Sequence, residues 1–469
     1  MKTNKEALLK SLPPEWPEDL LPSIQGLVWE SNTKLVVLDD DPTGTQTVYD
    51  VPVLTEWSPE SLATALVEPE AIVYILTNSR SVPLPQAQAL NREIAAALKT
   101  ASQMTGRDFA VVSRSDSTLR GHYPGEVTAL VEALAEGAVD GTLIVPFFLE
   151  GGRLTIEDVH YVAEGEWLVP AAETEYARDA TFGYKYSHLR EWVMEKHHGQ
   201  IAPGQITSIP LTELRAGGPA VVLARLKEVQ RGKICVVNAV SYRDLEVFVA
   251  GLLQAEAQGQ RFVYRTAASF VRVRGGLPPR PLLTAADLAA GENQGGGLIV
   301  AGSYIQKSSQ QIEAVQALPG VISLEVSVER LLDPAGRNQE VKRVSQAAGA
   351  ALTAGQNALV YTSRRLITGS DAIASLQIGQ AVSQALVDIV AGLSQKPAWV
   401  IAKGGITSSD IATKGLNIKR AQVLGQAIPG VPIWRAGEGS RWPGLLYVVF
   451  PGNVGGPEAI AQMVEILEG

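Results

Sequence analysis

Short apolar runs recur along this chain, each stopping abruptly at a polar or glycine-rich cluster. They lie at residues 35–38, 71–76, 109–112, 143–148 and 234–237, and again at 298–301, 358–361, 399–402 and 445–450. Between them come stretches with apolar residues spaced for one face of a helix, at 86–98, 126–134 and 245–257. A strand that is apolar on both faces has to be covered on both faces, and helices on either side of a parallel sheet do this. The pattern predicts an α/β chain with two domains, each a mostly parallel sheet flanked by helices.

The alternation is interrupted once. Residues 275–297 hold Gly275, Gly276, Pro278, Pro279, Pro281, Gly291 and the triplet Gly295, Gly296 and Gly297, a composition that makes a linker. The expected organisation is an N-terminal extension over 1–33, one domain over 34–280 and a second over 295–469. A length of 469 residues, 46% hydrophobic and 19% charged, gives both domains enough apolar residues for a core. The formal net charge is −9 with no basic block, which argues against nucleic acid or an anionic membrane as partner. An anionic ligand would then need its own local set of Arg, Lys and backbone N–H groups.

The one cysteine, Cys235, sits inside an apolar run and reads as a small buried hydrophobe in a reducing compartment. Lys2, Lys5, Glu6 and Lys10, followed by Pro13, Pro14 and Pro17, do not make a signal peptide. No apolar stretch approaches the roughly 20 residues that span a bilayer. A cytoplasmic, soluble protein is expected. The five histidines match no zinc spacing, so no protein-held metal site is expected.

The polar clusters carry the chemistry. The first apolar run ends in Asp39, Asp40 and Asp41, then Pro42, Thr43, Gly44 and Thr45. A turn needs one Asp, and three adjacent carboxylates repel one another, so a site is favoured over a plain turn. One Asp could take a proton from a substrate hydroxyl while another orients Thr or Arg side chains. A second cluster, Arg114, Ser115, Asp116, Ser117, Thr118, Leu119 and Arg120, offers two guanidinium groups, a carboxylate and several hydroxyls. Arg suits bidentate capture of a carboxylate, and Ser and Thr suit sugar hydroxyls. Ser79 and Arg80 follow a third run. In open α/β sheets ligands bind beyond the carboxyl ends of the strands, so three such clusters point to one shared crevice. The stretch 181–189, aromatic and polar, reads equally well as a substrate loop or as a packed surface loop. In the second half, Gly/Ser/Thr turns follow three runs, at 302–304, 403–410 and 451–456. Glycines allow close backbone approach to phosphate. Neither GxxxxGK[ST] nor GxGxxG occurs, which disfavours a P-loop NTPase and a GxGxxG dinucleotide enzyme.

From about Lys34 to its end the chain resembles the four-carbon acid-sugar kinase family, long catalogued as a domain of unknown function. The likeness rests on the Asp40-Asp41-x-Thr43-Gly44 turn, the Asp116-Ser117-Thr118-Leu119-Arg120-Gly121 run and the glycine turns together. It implies a sugar-acid-binding N-terminal domain, an ATP-binding C-terminal domain and phosphorylation of a tetronate or 3-oxo-tetronate hydroxyl. By motif, Asp40, Asp41 and Asp116 would be catalytic. Asp39, Thr43, Gly44, Thr45, Ser79, Arg80, Arg114, Ser117, Thr118 and Arg120 would hold substrate. Ser303, Gly404, Gly405, Ile406, Thr407, Gly452, Asn453 and Gly455 would hold ATP, with Mg²⁺ arriving on the nucleotide. Shorter family members read Gly-Gly-Glu-Thr-Ser-Gly where this chain has Gly404 to Ser409, and Asp-Phe-Thr-Gly-Ala at the acidic turn. The chain resembles a longer subgroup, for which a branched or 3-oxo acid such as 3-oxo-isoapionate is an open substrate. A homo-oligomer is left open. Two other readings remain at this point: a non-catalytic sugar-acid sensor, and a metal-assisted aldolase or hydrolase built on Asp39, Asp40 and Asp41.

Overall fold

The computed structural model describes residues 2–134, 139–288, 295–302, 306–364, 367, 372–452 and 454–469, with backbone alone over 372–376. The chain divides into two compact units, Met1–Asp40 with Glu56–Pro279, and Asp41–Thr55 with Arg280–Gly469. Both are α/β, as the alternation predicts.

In the first unit the strands Ile206–Ile209, Lys233–Val237, Gly141–Val145, Phe262–Thr266, Asp108–Arg114, Thr33–Asp39 and Ile72–Leu76 lie side by side in that order, all parallel. Ile72–Leu76 is buried at every residue, as a strand covered on both faces must be. The helix Leu84–Thr105 supplies part of the cover: Ala87, Asn91, Ile94, Ala95, Leu98 and Ala101 form its buried stripe. The register brings the strand ends into one row. Asp39 stands opposite both Leu76 and Arg114, Arg114 opposite Thr266, and Thr266 opposite Val145. Whatever follows these residues therefore emerges at one edge. A small antiparallel sheet of Thr3–Asn4, Trp167–Pro170, Val159–Glu164 and Arg153–Ile156 completes this unit. The apolar-run pattern did not announce it, because its strands are short and only partly buried.

The second unit runs Val321–Val326, Asn357–Thr362, Leu298–Ala301, Trp399–Lys403 and Leu446–Phe450 in parallel. Val431–Ala436, Arg420–Ile428 and Val51–Leu54 then continue the sheet antiparallel. Ile299, Leu359, Ile401, Val448, Phe450 and Met463 lie in its core. Val51–Leu54 is far from these partners in sequence and falls inside the 34–280 span. It joins here because its backbone is paired here: Val51 to Leu54 stand against Val423 to Arg420, and flanking bonds run from Asp50 N to Val423 O (2.7 Å) and from Thr55 N to Lys419 O (3.0 Å). Buried backbone groups need such partners, so the ladder decides which unit owns the segment.

Candidate functional site

At the strand ends of the first unit, three carboxylates and three guanidinium groups interlock. Asp39 Oδ1 accepts from Arg114 Nη1 at 3.1 Å, as their shared register row allows. Asp40 accepts from both prongs of Arg80, Nε to Oδ2 at 3.1 Å and Nη2 to Oδ1 at 2.5 Å, and from Ser115 Oγ at 2.6 Å. Burial opposes ionisation of Asp40, but Arg80 and Arg114 outweigh it and hold the carboxyl below its usual range. Asp40 is thus a charged clamp with both oxygens committed.

Asp116 is more open. Its Oδ2 accepts from Arg120 Nε at 2.8 Å and from the Thr118 hydroxyl. Burial again works against the charge, and Arg80 and Arg120 again prevail, holding the carboxyl well below the carboxylate range. The Arg120 guanidinium also lies 5.1 Å over the Tyr176 ring, with Nη1 3.6 Å from Asp179. Beneath the strand ends, the buried Glu126 accepts from Ser79 Oγ and, at 3.3 Å, from Asn91 Nδ2. Burial and the nearby Asp40 charge push its carboxyl up. Gly121 is tied to this arrangement by space: a Cβ there would lie 2.4 Å from Ser115 Oγ and 3.2 Å from Asp40 Oδ2, at φ +114°.

The acidic turn is divided. Asp39 and Asp40 belong to the first unit, whereas Asp41, Thr43, Gly44 and Thr45 belong to the second. Asp41 Oδ1 accepts from Thr43 N at 2.9 Å, and Thr45 Oγ1 accepts from Trp434 Nε1 at 3.0 Å. Gly405 comes close to Asp41, so close that a Cβ would lie 2.7 Å from Asp41 Oδ2. Three residues that the sequence reading groups with the sugar acid, Thr43 to Thr45, therefore share a unit with the glycine turns.

Those turns also start in one row, because Ala301, Lys403 and Phe450 are register partners. Gly404 N donates to Phe450 O at 2.8 Å. Gln311 Nε2 donates to Val454 O at 3.1 Å and Gly456 O at 2.9 Å, fixing the turn that contains Gly455. Thr407 lies in the helix Gly405–Asp410 that follows Gly404, and Ile406 is 55% exposed. Ser303 and Asn453 lie outside the described residues.

Sequence reasoning did not single out Lys403. This fully buried lysine donates to Pro451 O at 2.7 Å and Gly452 O at 3.1 Å, so one cation joins two of the turns. Burial, with Lys307 adding repulsion, brings its pKa down to about 7. A cation beside two glycine turns is the chemistry that phosphate oxygens require. Arg265 and His160 were missed as well, and Tyr184 was covered only within the 181–189 stretch that reads as a substrate loop or a packed surface loop; each of the three is buried against the 115–121 loop. The sequence neighbourhoods of Arg265 and His160 carry no motif. Arg265 is the charged residue in a strand that is buried throughout, Phe262–Thr266, and a charge after the apolar start of that run is the one signal that could have marked it.

No group of three or more His, Cys, Asp or Glu side chains is placed to hold a metal among the described residues, and none of the described helices is long and apolar enough to cross a membrane.

Residues 35–274 match the family of sugar-binding N-terminal domains, and residues 298–460 match the family of nucleotide-binding C-terminal domains. The chain is 27% identical over 280 residues to a D-erythronate kinase of Heliobacterium modesticaldum, covering 58% of this chain and 57% of that one. It is 31% identical over 222 residues to a 3-oxo-isoapionate kinase of Paraburkholderia graminis, covering 44% of each. The chain thus spans about half the length of the curated relatives it matches. Two solved structures share the fold. One is from Salmonella typhimurium LT2, at TM-score 0.65 and 18% identity, covering 92% of this chain and 98% of that one. The other is a Haemophilus influenzae protein of a domain family of unknown function, at TM-score 0.62 and 19% identity, covering 92% of this chain and all of the other (100%).

Proposed function

The chain belongs to the four-carbon acid-sugar kinase family, and we propose that it transfers the terminal phosphoryl group of ATP to a hydroxyl of a small sugar acid. The acid is a tetronate, a 3-oxo-tetronate or a relative such as 3-oxo-isoapionate, in keeping with the names of the two curated relatives. The observation that carries this reading is the presence, in one chain, of a sugar-binding domain match over 35–274 and a nucleotide-binding domain match over 298–460.

The geometry supports it residue by residue. Arg80, Arg114 and Arg120, each paired with an Asp, gather guanidinium donors at the strand ends of an acidic protein, where a sugar acid's carboxylate could be met. Asp116 has one oxygen on Arg120 and Thr118, which leaves Oδ1 to accept a hydrogen bond from the attacking hydroxyl. A carboxylate held low by two guanidinium groups is a weak base. Phosphoryl transfer tolerates this, because its loose transition state asks mostly for positioning and charge stabilisation. In the second unit, Gly404, Gly405, Thr407, Gly452 and Gly455 would hold the nucleotide, with Lys403 as the cation behind two of these turns. Mg²⁺ would arrive with the nucleotide and neutralise phosphate charge.

The test is ATP consumption by the purified chain over a panel of tetronates, 3-oxo-tetronates and apionates in the presence of Mg²⁺. Turnover stimulated by at least one acid is expected. No ATP binding by calorimetry with Mg²⁺ present would refute the assignment.

A further inference from the structure

The loop from Ser115 to Gly121 is held by its carbonyls. Arg265 Nη1 donates to Asp116 O at 3.2 Å, and Arg265 Nη2 to Arg120 O at 2.9 Å. His160 Nε2 donates to Ser117 O at 2.7 Å. The Tyr184 hydroxyl donates to Thr118 O at 2.7 Å. Four carbonyls in five residues are thus engaged by side chains from three distant parts of the sequence. Arg265 comes from the strand Phe262–Thr266, His160 from the small antiparallel sheet, and Tyr184 from the aromatic stretch at 181–189. All three are buried, Arg265 to 1% exposure and His160 to 0%.

The protonation of this brace is settled by its partners. A carbonyl accepts only, so His160 carries its proton on Nε2, and Nδ1 accepts from Thr155 Oγ1 at 3.0 Å. Burial brings the imidazole pKa down to about 4, in keeping with a neutral ring at physiological pH.

A peptide unit is planar and trans, so its N–H points opposite to its C=O. Each of the N–H groups of Ser117, Thr118 and Gly121 therefore points away from the side chain that holds the carbonyl of Asp116, Ser117 or Arg120 in the same peptide unit. The Leu119 N–H is used within the loop, bonded to Asp116 O at 3.2 Å. Leu119 at φ +70° and Gly121 at φ +114° are positive-φ positions within this loop, and a left-handed residue is one half of the alternation that gathers amides around an anion.

We propose that His160, Tyr184 and Arg265 are positioning residues that turn the Asp116–Arg120 carbonyls inward, so that the Ser117, Thr118 and Gly121 amides form a seat for the carboxylate of the sugar acid. This rests on the kinase reading and adds to it. The acid end of the substrate is recognised by backbone amides, with Arg120 beside them, and three residues outside the strand-end clusters hold those amides in place. The sugar acid would be told from the matching polyol at this seat, because only the acid brings an anion to it.

The test compares the wild-type chain with Tyr184→Phe, which removes one hydroxyl and little volume, and with His160→Gln, which keeps a donor. His160→Ala removes the donor. Steady-state kinetics use the best tetronate of the panel and the corresponding tetritol, which lacks the carboxylate. Tyr184→Phe and His160→Ala are expected to raise the KM for the acid tenfold or more, with the KM for ATP within twofold. The kcat/KM for the tetritol should barely change, so acid-over-polyol selectivity falls, and His160→Gln should recover much of it. Equal losses for acid and tetritol, or a lower melting temperature with an unchanged KM, would overturn the proposal. Should a variant fail to fold, Tyr184→Phe alone decides by the same ratio. Should the wild type turn over no acid, the kinase reading fails by itself. Calorimetry with threonate and threitol on the whole chain then judges the seat. Tighter binding of threonate that Tyr184→Phe abolishes supports it, and equal affinities overturn it.

Discussion

Arg80 grips Asp40 with two parallel bonds, Nε to Oδ2 at 3.1 Å and Nη2 to Oδ1 at 2.5 Å, in a pair whose side chains are 19% and 4% exposed. Removing one member of a pair this deep leaves the other charge without compensation. Asp40→Asn and Arg80→Met should each destabilise the protein by about 3–5 kcal/mol. The double variant should cost less than the sum, by roughly 0.5–3 kcal/mol. A double-mutant cycle by urea unfolding measures this, and additive losses would mean that the two side chains act independently. The pH dependence follows from the direction of the shift. The folded Asp40 carboxyl lies below its ordinary 3.8, so the unfolded chain takes up its proton first. Its contribution to stability is complete above about pH 4 and is lost as the pH falls through the folded value. The advantage of the wild type over the double variant should shrink over that acid window.

Gly121→Ala tests whether the Ser115–Asp40 bond matters to the substrate. The new Cβ would lie 2.4 Å from Ser115 Oγ, at a φ of +114° that L side chains rarely adopt. Strain of this kind costs about 1–3 kcal/mol. We expect a lower melting temperature together with a higher KM for the sugar acid and an unchanged KM for ATP. A thermal effect with both KM values intact would place the bond outside the substrate site.

Arg120→Lys keeps the charge and loses the fork. Lysine cannot reproduce an Nε bond to Asp116 at 2.8 Å while keeping its charge over the Tyr176 ring and offering further donors to an anion. Charge-assisted bonds contribute on the order of 1.5–3 kcal/mol, so the KM for the sugar acid should rise roughly tenfold to a hundredfold. Affinity for ATP should hold. A drop in melting temperature with no change in KM would mean that Arg120 serves packing through Asp116 and Tyr176.

Much of this was legible because parallel strands announce themselves. The runs at 35–38, 71–76 and 109–112 are apolar on both faces and became Thr33–Asp39, Ile72–Leu76 and Asp108–Arg114. Their polar ends fall in one row for the same reason: parallel register aligns strand ends, so Asp40, Ser79, Arg80, Arg114 and Asp116 gather. What the sequence could not disclose depends on pairing over long distance. Val51–Leu54 is a four-residue strand whose partner lies 366 or more residues away, and nothing local marks it as belonging with Arg420–Val423. The roles of His160 and of Tyr184, within the 181–189 stretch, escaped for a related reason. Their roles are single bonds to backbone carbonyls of a remote loop, and carbonyls leave no signature in side-chain identity.

Lys403 offers a test in the second unit, where pH separates two roles. Its ammonium donates to Pro451 O and Gly452 O, and burial brings its pKa to about 7, far below the ordinary lysine value near 10.4. If the charge helps to hold ATP, kcat/KM for ATP should fall as the pH rises through about 7, because the free enzyme then loses the cation. Lys403→Met should show a low, flat profile over the same range, while the KM for the sugar acid stays put. Linkage gives a second readout with a definite sign. Between about pH 7 and 10 the unfolded chain binds this proton and the folded chain does not, so wild-type stability gains on Lys403→Met as the pH rises, by at most about 1.4 kcal/mol per pH unit. Below pH 7 both states are protonated and the difference is constant. The nearby Lys307 repels the same charge, so Lys307→Gln should move both transitions upward. Stability that follows this course alongside a flat wild-type ATP profile would assign Lys403 to tying the two turns together. Both transitions moving upward in Lys307→Gln would place the cation at the phosphates.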